Sequence, residues 1–273
     1  MKTFTASTSR PNLHYEIRFS SDEHDTRFST FLSWLKAIHA RRSSDPARAA
    51  ELQATQTRPD AVSGIIYVPF RTDCDALASR LRGKSIGAAP YHAGLSTSER
   101  VACQQKWIAN APGYDIIVAT TAFGMGIDKQ DVRFVVHWNV PKSFEGFYQE
   151  AGRAGRDGKA AACILYYSRE DRDRAAYRIG RDHQGQNEGK EAQTKGRAES
   201  FQRLMRYCEE TERCRHVIVG EFFGEGGKPR CDFACDVCKD KGGVRRGKRE
   251  GLASEEWVST QRAREDFYGE GYD

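Results

Sequence analysis

With 273 residues, of which 30% are charged, and a net charge of +5, the chain has room for one full domain and a smaller one. That balance permits nucleic-acid binding through a local patch without demanding it. No run approaches 18 apolar residues and the start lacks a charged-then-apolar signal pattern, so the expectation is a soluble, intracellular protein with no membrane partner.

Leu13 to Phe19 alternates apolar and polar residues and reads as a strand; Asp22-Glu23 follows as a helix-start signal. Phe28, Phe31, Leu32, Leu35 and Ile38 share one face of an amphipathic helix over 24–39. The polar, alanine-rich stretch 41–61, bounded by Pro46 and Pro59, is a linker or an inserted surface helix. Short apolar strands then alternate with helices. The strands are expected at 64–68, 86–92, 115–119, 134–138 and 161–167. The helices are expected at 72–82, capped by Thr72 and Asp73, at 96–108, capped by Ser96 or Thr97, and at 143–150. This alternation implies an α/β fold, a parallel sheet covered by helices on both faces, with ligands at the carboxyl ends of strands. Residues 182–197 read as a flexible insertion, 198–212 and 214–223 as helices, and 241–273 as a disordered charged tail.

Cys214, Cys231, Cys235 and Cys238 form the first chemical constellation: C-x₃-C-x₂-C with a fourth thiol upstream, sixteen residues intervening, at the head of a helix. Four thiolates at this spacing favour a closed, tetrahedral structural zinc site. Cys208 and His216 are weaker substitutes, whereas Cys74, Cys103 and Cys163 read as small buried hydrophobes. This use of cysteine fits a reducing compartment.

The most informative stretch is Tyr148 to Gly158, Y-Q-E-A-G-R-A-G-R-D-G. Arg153 and Arg156 present planar donor forks suited to phosphate oxygens, and Gly152 and Gly155 let backbone approach closely. Thr120-Thr121-Ala-Phe-Gly-Met-Gly126-Ile-Asp128 follows a strand. Its glycines allow a turn whose amides face a phosphate, and Asp128 can accept from a ribose hydroxyl or orient an arginine. Elsewhere there is no G-x-x-x-x-G-K-[ST] phosphate loop, and no Asp-Glu pair ending a strand to hold Mg²⁺.

These two strings resemble motifs VI and V of superfamily 2 helicases, in the version carried by the RecQ family of DNA helicases. Gly64 to Arg71 is similar to motif IV, and Tyr91-His-Ala-Gly-Leu95 to the next helicase element. Cys214-Arg-His, Phe222-Phe-Gly-Glu225 and the cysteine cluster resemble the RecQ zinc module. The resemblance covers about residues 10–240. It implies a RecA-like second lobe at 24–180, then a helical zinc module at 198–240. Residues 1–23 would be a remnant leaving a missing first lobe, and Met1 an internal or mispredicted start.

It further implies an ATP-dependent 3′ to 5′ DNA helicase of repair and recombination, located in the nucleus (or a nucleoid). Arg156 would be the arginine finger, with Arg153 and Gln149 beside it, and Gly126 and Asp128 would face the nucleotide. His92, Thr120, Thr121, Lys142 and Ser143 would touch DNA. ATP with Mg²⁺ would be shared with an N-terminal RecA-like lobe in cis or trans, so this chain alone is expected to be inactive. The alternative is a non-enzymatic, zinc-stabilised fragment that binds DNA or a partner.

Overall fold

Ile, Val, Leu and Tyr runs that leave no polar face must be covered on both sides, and the structure, a computed structural model, does this with one parallel sheet. It describes residues 9–20, 26–55, 58, 60–121, 123–124, 127–181, 191–226, 229–232 and 234–252. The strands are β1 (Leu13–Phe19), β2 (Gly64–Tyr67), β3 (Ala88–Tyr91), β4 (Ile116–Ala119), β5 (Phe134–His137) and β6 (Ala161–Tyr167), in the order β1-β6-β5-β2-β4-β3. Each neighbouring pair is parallel.

The two-residue period of the strands sorts the core. Ile66, Val118, Val136 and Ile164 pack with Phe31 and Leu35 of α1 (Thr26–Ser44) and Leu77 and Leu81 of α3 (Arg71–Arg82). Ile65, Ile117, Val135 and Leu165 face the other layer. That layer is built from α4 (Thr97–Ile108), α5 (Phe144–Ala151), α6 (Arg169–Arg181), α7 (Glu191–Glu209), α8 (Arg215–Phe222) and α9 (Asp236–Gly251). It contributes Trp107, Phe147, Leu204, Val219 and Val237, so the cysteine-bearing segment shares the core of the sheet.

Helix starts follow local chemistry. Ser96 and Glu99 form a reciprocal capping box on α4, and Ser143 caps α5 by accepting from Gly146 N. The expected Thr72/Asp73 cap does not form: α3 begins one residue earlier, with Phe70 at the cap position and no side-chain cap bond. The stretch 41–61 contains the inserted helix, α2 (Pro46–Ala54), capped by Asp45 and started by Pro46.

Four further segments are placed by the structure. Residues 13–19, expected as a strand within 1–23, form the edge of this sheet, where β6 pairs with β1 from Ala161 to Tyr167. The segment after β6 is helical (α6), started by Ser168 Oγ accepting from Asp171 N at 3.0 Å, a capping signal the sequence reading passed over. Of the stretch 182–197, residues 191–197 belong to α7, which runs from Glu191 to Glu209, and 182–190 lie outside the described residues. The charged tail is ordered up to Leu252. Arg245 pairs with Glu212 through Nε at 2.6 Å, and Lys248 Nζ donates to Glu209 O at 2.7 Å, so the cations of α9 sit on the carboxyl end of α7. Asp22-Glu23, and 253–273 of the tail, lie outside the described residues.

On the outer face of β1, Glu16 takes Arg18 Nε at 2.8 Å and lies 3.6 Å from His14 Nε2. Burial alone raises a carboxyl, but the hydrogen bonds from His14 and Arg18 outweigh it and bring Glu16 down from 4.5 to about 2. A depressed carboxyl stabilises the fold fully above its unfolded value, and that contribution fades as pH falls through the folded one. Glu16→Gln is expected to cost about 2–3 kcal/mol at neutral pH. The cost should vanish as pH approaches 2, as urea melts across this range will read.

Candidate functional site

Both arginines of the glycine-rich string are tied to the loop after β4. Arg153 Nη1 donates to Gly124 O. A Cβ on Gly124 would lie 2.5 Å from Arg153 Nη2, so a larger residue there would have to displace the tip of the guanidinium. Arg156 Nη1 donates to Ile127 O at 2.9 Å and lies 3.3 Å from Asp128 Oδ1. Arg153 is half-buried, whereas the Arg156 side chain is 33% and that of Asp128 72% exposed. Gly126 lies outside the described residues.

The string itself is clamped from the segment before β1. Arg10 donates to the carbonyls of Gly152, Ala154 and Gly155 at 2.8–3.0 Å. Asn12 Nδ2 donates to Gly155 O and Lys159 O at 2.8 and 2.9 Å. Gly155 turns at φ +56°, and a Cβ there would meet Asn12 Nδ2 at 2.5 Å. Sequence reasoning missed Arg10 and Asn12. Their signal was the Arg-Pro-Asn-Leu run, which carried no spacing relation to a loop more than 140 residues away.

A cavity of about 540 Å³ opens at the carboxyl ends of β2, β4 and β5. Thr121, Lys142, Ser143, Gln149 and Arg153 line it, so five sequence-predicted residues meet there. Gln149 and Lys142 are exposed, and the Ser143 hydroxyl is taken up by its capping bond to Gly146 N at 3.0 Å. On the wall, buried His137 bonds Glu150 through Nε2 at 2.8 Å and stacks on Tyr67, leaving its Nδ1 without a hydrogen-bond partner.

Thr120 is half-buried and is not among the cavity-lining residues. His92 is held internally. It is buried, with Nδ1 accepting from Gly94 N at 3.2 Å and Nε2 3.3 Å from Asp75. Trp107 is core.

The cysteine cluster assembles from two helix starts. Cys214 and Cys235 occupy the cap positions of α8 and α9, with their Sγ atoms 3.9 Å apart. Tetrahedral zinc with ~2.3 Å bonds holds two sulfurs about 3.8 Å apart. Arg215 N and Cys235 N donate to Cys235 Sγ and Cys231 Sγ at 3.4 and 3.1 Å, the field a thiolate needs.

Ligating atoms of Cys214, His216, Cys231 and Cys235 all lie within 4.8 Å of one another. Cys238 is exposed, three residues after Cys235 on α9, and is not among the four residues whose ligating atoms meet. His216 Nε2 lies 3.2 Å from Arg10 O, and its buried Nδ1 has no hydrogen-bond partner. Without a cation, burial pushes the Cys231 thiol up to about 11, and the Cys214 thiol raises Cys235. Such a set fits a soft divalent cation.

Beneath this cluster, Arg215 and Asp236 form a fully buried two-bond pair at 2.8 and 2.9 Å. Arg215 also donates to Tyr207 O, and Asp236 Oδ2 accepts from Ile17 N at 3.0 Å. Arg215 is thus internal.

Comparison with known proteins places this geometry. Residues 49–158 match the helicase conserved C-terminal domain, and residues 169–239 match the RecQ zinc-binding family. The chain is 36% identical over 246 residues to ATP-dependent DNA helicase Q5 of Rattus norvegicus, covering 89% of this chain and 24% of that protein. It is 36% identical to RecQ-like DNA helicase BLM of Xenopus laevis over 87% of this chain and 16% of that protein. The chain belongs to the RecQ helicase family.

The match of both families in order makes this RecQ chain a C-terminal helicase lobe followed by the RecQ zinc-binding segment, on a RecA-like α/β fold. It spans about a quarter of the length of the rat relative. Among solved structures it is similar to a DEAD box protein from Methanococcus jannaschii, with 22% identity and TM-score 0.42 over 60% of this chain and 38% of that one. Among the described residues of this RecQ chain, no helix is long and apolar enough to cross a membrane.

Removing one partner of a buried ion pair strands the other charge. Arg215→Ala is expected to lower stability by about 3–5 kcal/mol, measured by denaturant unfolding of the metal-loaded chain. A loss below about 1 kcal/mol, the size of a surface pair, would mean the pair does not hold the module in place.

Proposed function

We propose that this chain is the second motor lobe and zinc module of an ATP-dependent 3′ to 5′ DNA helicase acting in repair and recombination, in the nucleus. ATP and Mg²⁺ are shared with an N-terminal RecA-like lobe, in cis or in trans. The observation that carries this reading is the pairing of the two loops: Arg153 on Gly124, Arg156 on Ile127 and Asp128. A helicase must couple phosphate state to nucleic-acid contact, and these bonds join the loop expected at the phosphate to the loop expected at the DNA backbone.

Arg156 is the finger, since it projects from an exposed pair. Arg153 and Gln149, on the cavity wall, relay the nucleotide state to Thr121, Lys142 and Ser143 along the strand. Asp128 and Gly126 guide the finger and the phosphate-facing turn. Arginine fingers are worth about 10³–10⁵ in rate. Contacts to phosphate and sugar, rather than to base edges, suit a motor that steps over any sequence.

Zinc is structural, held by Cys214, Cys231, Cys235 and Cys238, with His216 packed behind them against Arg10 O. Cys238 lies one helical turn from Cys235, and closing the site with four thiolates takes its thiol in place of His216, whose ligating atom lies within 4.8 Å of the other three. Cys238→Ser is then expected to lose zinc as completely as Cys235→Ser, while His216→Ala keeps it. Metal content and melting temperature measured together decide, and the reverse order would assign the fourth position to His216.

Because the sequence has no phosphate loop, the zinc-loaded chain alone is expected to show negligible ATP hydrolysis, with or without single-stranded DNA. Joined to a first lobe, it should hydrolyse ATP. There Arg156→Glu should abolish turnover while ATP binding, followed with a fluorescent analogue, stays largely intact. Equal turnover by the variant would remove Arg156 from the finger role, and DNA-stimulated turnover by the isolated chain would refute the shared site.

A further inference from the structure

The bond from Arg153 to Gly124 O joins two loops, and each end of it is tied to the sheet by a different buried side chain. At the Gly124 end, Tyr67, the last residue of β2, donates its hydroxyl to Phe123 O at 2.8 Å. At the Arg153 end, His137, the last residue of β5, bonds Glu150 through Nε2 at 2.8 Å. Glu150 lies in the last turn of α5, and its carbonyl accepts from Arg153 N at 3.2 Å.

The two anchors also hold each other. Tyr67 and His137 are register partners on neighbouring strands, and their rings stack with centroids 5.5 Å and planes 20° apart. His137 also meets the Phe147 ring of α5 at 5.0 Å. The contacts therefore close into a circuit that runs from Tyr67 through Phe123 and Gly124 to Arg153, then through Glu150 and His137 back to Tyr67. All of its members but Phe123 line the 540 Å³ cavity.

Tyr67 and His137 are 4% and 1% exposed, so they act through their neighbours rather than on a substrate. Rings at such burial would serve the core equally well without a polar atom. Here the phenol and the imidazole each spend that atom on a segment that carries a helicase loop, not on the sheet. Against a carboxylate, which only accepts, Nε2 is the donor. A buried group whose hydrogen bond is left unmade is costly, and each anchor thereby confines its partner to one place.

We infer that Tyr67 and His137 are positioning residues for Arg153. They fix the two ends of the bond between the helicase loops, and so set how the nucleotide state is passed to the strand. This rests on the helicase reading of the proposed function and names within it the buried pair that makes the relay rigid. Because the two side chains secure opposite ends of one bond, loss of either releases it, and loss of both does little more.

The test joins the zinc-loaded chain to a first lobe and follows ATP hydrolysis at saturating single-stranded DNA, well below the melting temperature of every variant. Tyr67→Phe keeps the ring and its stack but loses the bond to Phe123 O. It is expected to lower kcat about tenfold, the worth of one hydrogen bond. KM for ATP should not change, because nothing that holds ATP in the ground state is removed. At His137 two amides separate position from packing. His137→Gln sets a donor where Nε2 stood and should keep most of kcat, whereas His137→Asn, whose amide stops short of Glu150, should lose about tenfold. In the zinc-loaded chain by itself, hydrogen exchange should speed up at both Phe123–Gly124 and Glu150–Arg153 in either Tyr67→Phe or His137→Asn.

Tyr67→Phe and His137→Asn combined should be about as slow as the slower of the two. Losses that multiply to about a hundredfold would mean two unrelated defects and overturn the inference. So would full kcat in Tyr67→Phe, equal rates in the two His137 variants, or exchange that quickens only beside the substituted residue. Each of these leaves the helicase reading standing. Absence of ATP hydrolysis by the unaltered joined protein would overturn that reading, and the positioning role with it.

Discussion

Arg215 and Asp236 make the contact on which the rest of this molecule depends. Each stands next to a cysteine of the metal cluster, Cys214 and Cys235, and each also bonds outside it, to Tyr207 O on α7 and Ile17 N on β1. One buried pair therefore sets the spacing of two helix starts and attaches both to the edge of the sheet. Neither α8 nor α9 carries enough large apolar residues for a core of its own; Val219 and Val237 join the core that Leu13, Tyr15 and Ile17 bury from β1. A charge pair in such surroundings is costly to desolvate. It persists because each remaining donor and acceptor has a backbone partner, which makes the arrangement specific as well as tight.

The same edge reaches the helicase loops. The residues just before β1, Arg10 and Asn12, hold the carbonyls of the Gly152–Lys159 turn, and His216 touches Arg10 O from the cysteine side. Strand, turn and metal cluster are consecutive links, so displacement of the cluster would be felt at Arg153 and Arg156 through a few hydrogen bonds. Under the proposed function, this is a physical route between the structural metal and the nucleotide-facing loop. It needs no contact between the metal and either substrate.

The sheet was legible in the sequence because strands buried on both faces leave unambiguous apolar runs, and β6 was placed to the residue. Helix starts with a hydroxyl cap, such as Ser96 and Ser143, were equally plain. What escaped was whatever depends on distance in the chain. The strand at 13–19 was assigned to a departing linker because nothing in Leu13–Phe19 says that β6 has a free edge. The helix α6 was missed although Ser168 and Asp171 carry its capping signal, because its interior, Arg-Asp-Arg-Ala-Ala-Tyr-Arg, is nearly all polar. The basic run of α9 reads as tail until Glu209 and Glu212 are known to lie opposite it. At the site, residue types and spacing brought Thr121, Lys142, Ser143, Gln149 and Arg153 to one cavity. The burial of His92 and its contacts to Gly94 and Asp75 were not legible in the sequence. His216 entered the cluster for a reason sequence spacing weighs poorly: at the second residue after Cys214 it lies in the first turn of the same helix.

The two arginines differ in what it costs to release them. Arg156 sits in an exposed pair with Asp128, of a kind worth about 0–1 kcal/mol in water, and so can exchange that carboxylate for a phosphoryl oxygen at little expense. Arg153 is half-buried, bonded to the Gly124 carbonyl, and its Nε is shielded from solvent with no hydrogen-bond partner. Withdrawing it would expose Gly124 O and leave a gap against Tyr67. Charge arriving at Arg156 therefore meets a mobile partner, while Arg153 transmits position through a fixed one. A lobe that contributes to a shared nucleotide site needs both properties, a donor that can leave its resting partner and a strut that cannot. The glycine pattern of the string supplies them three residues apart.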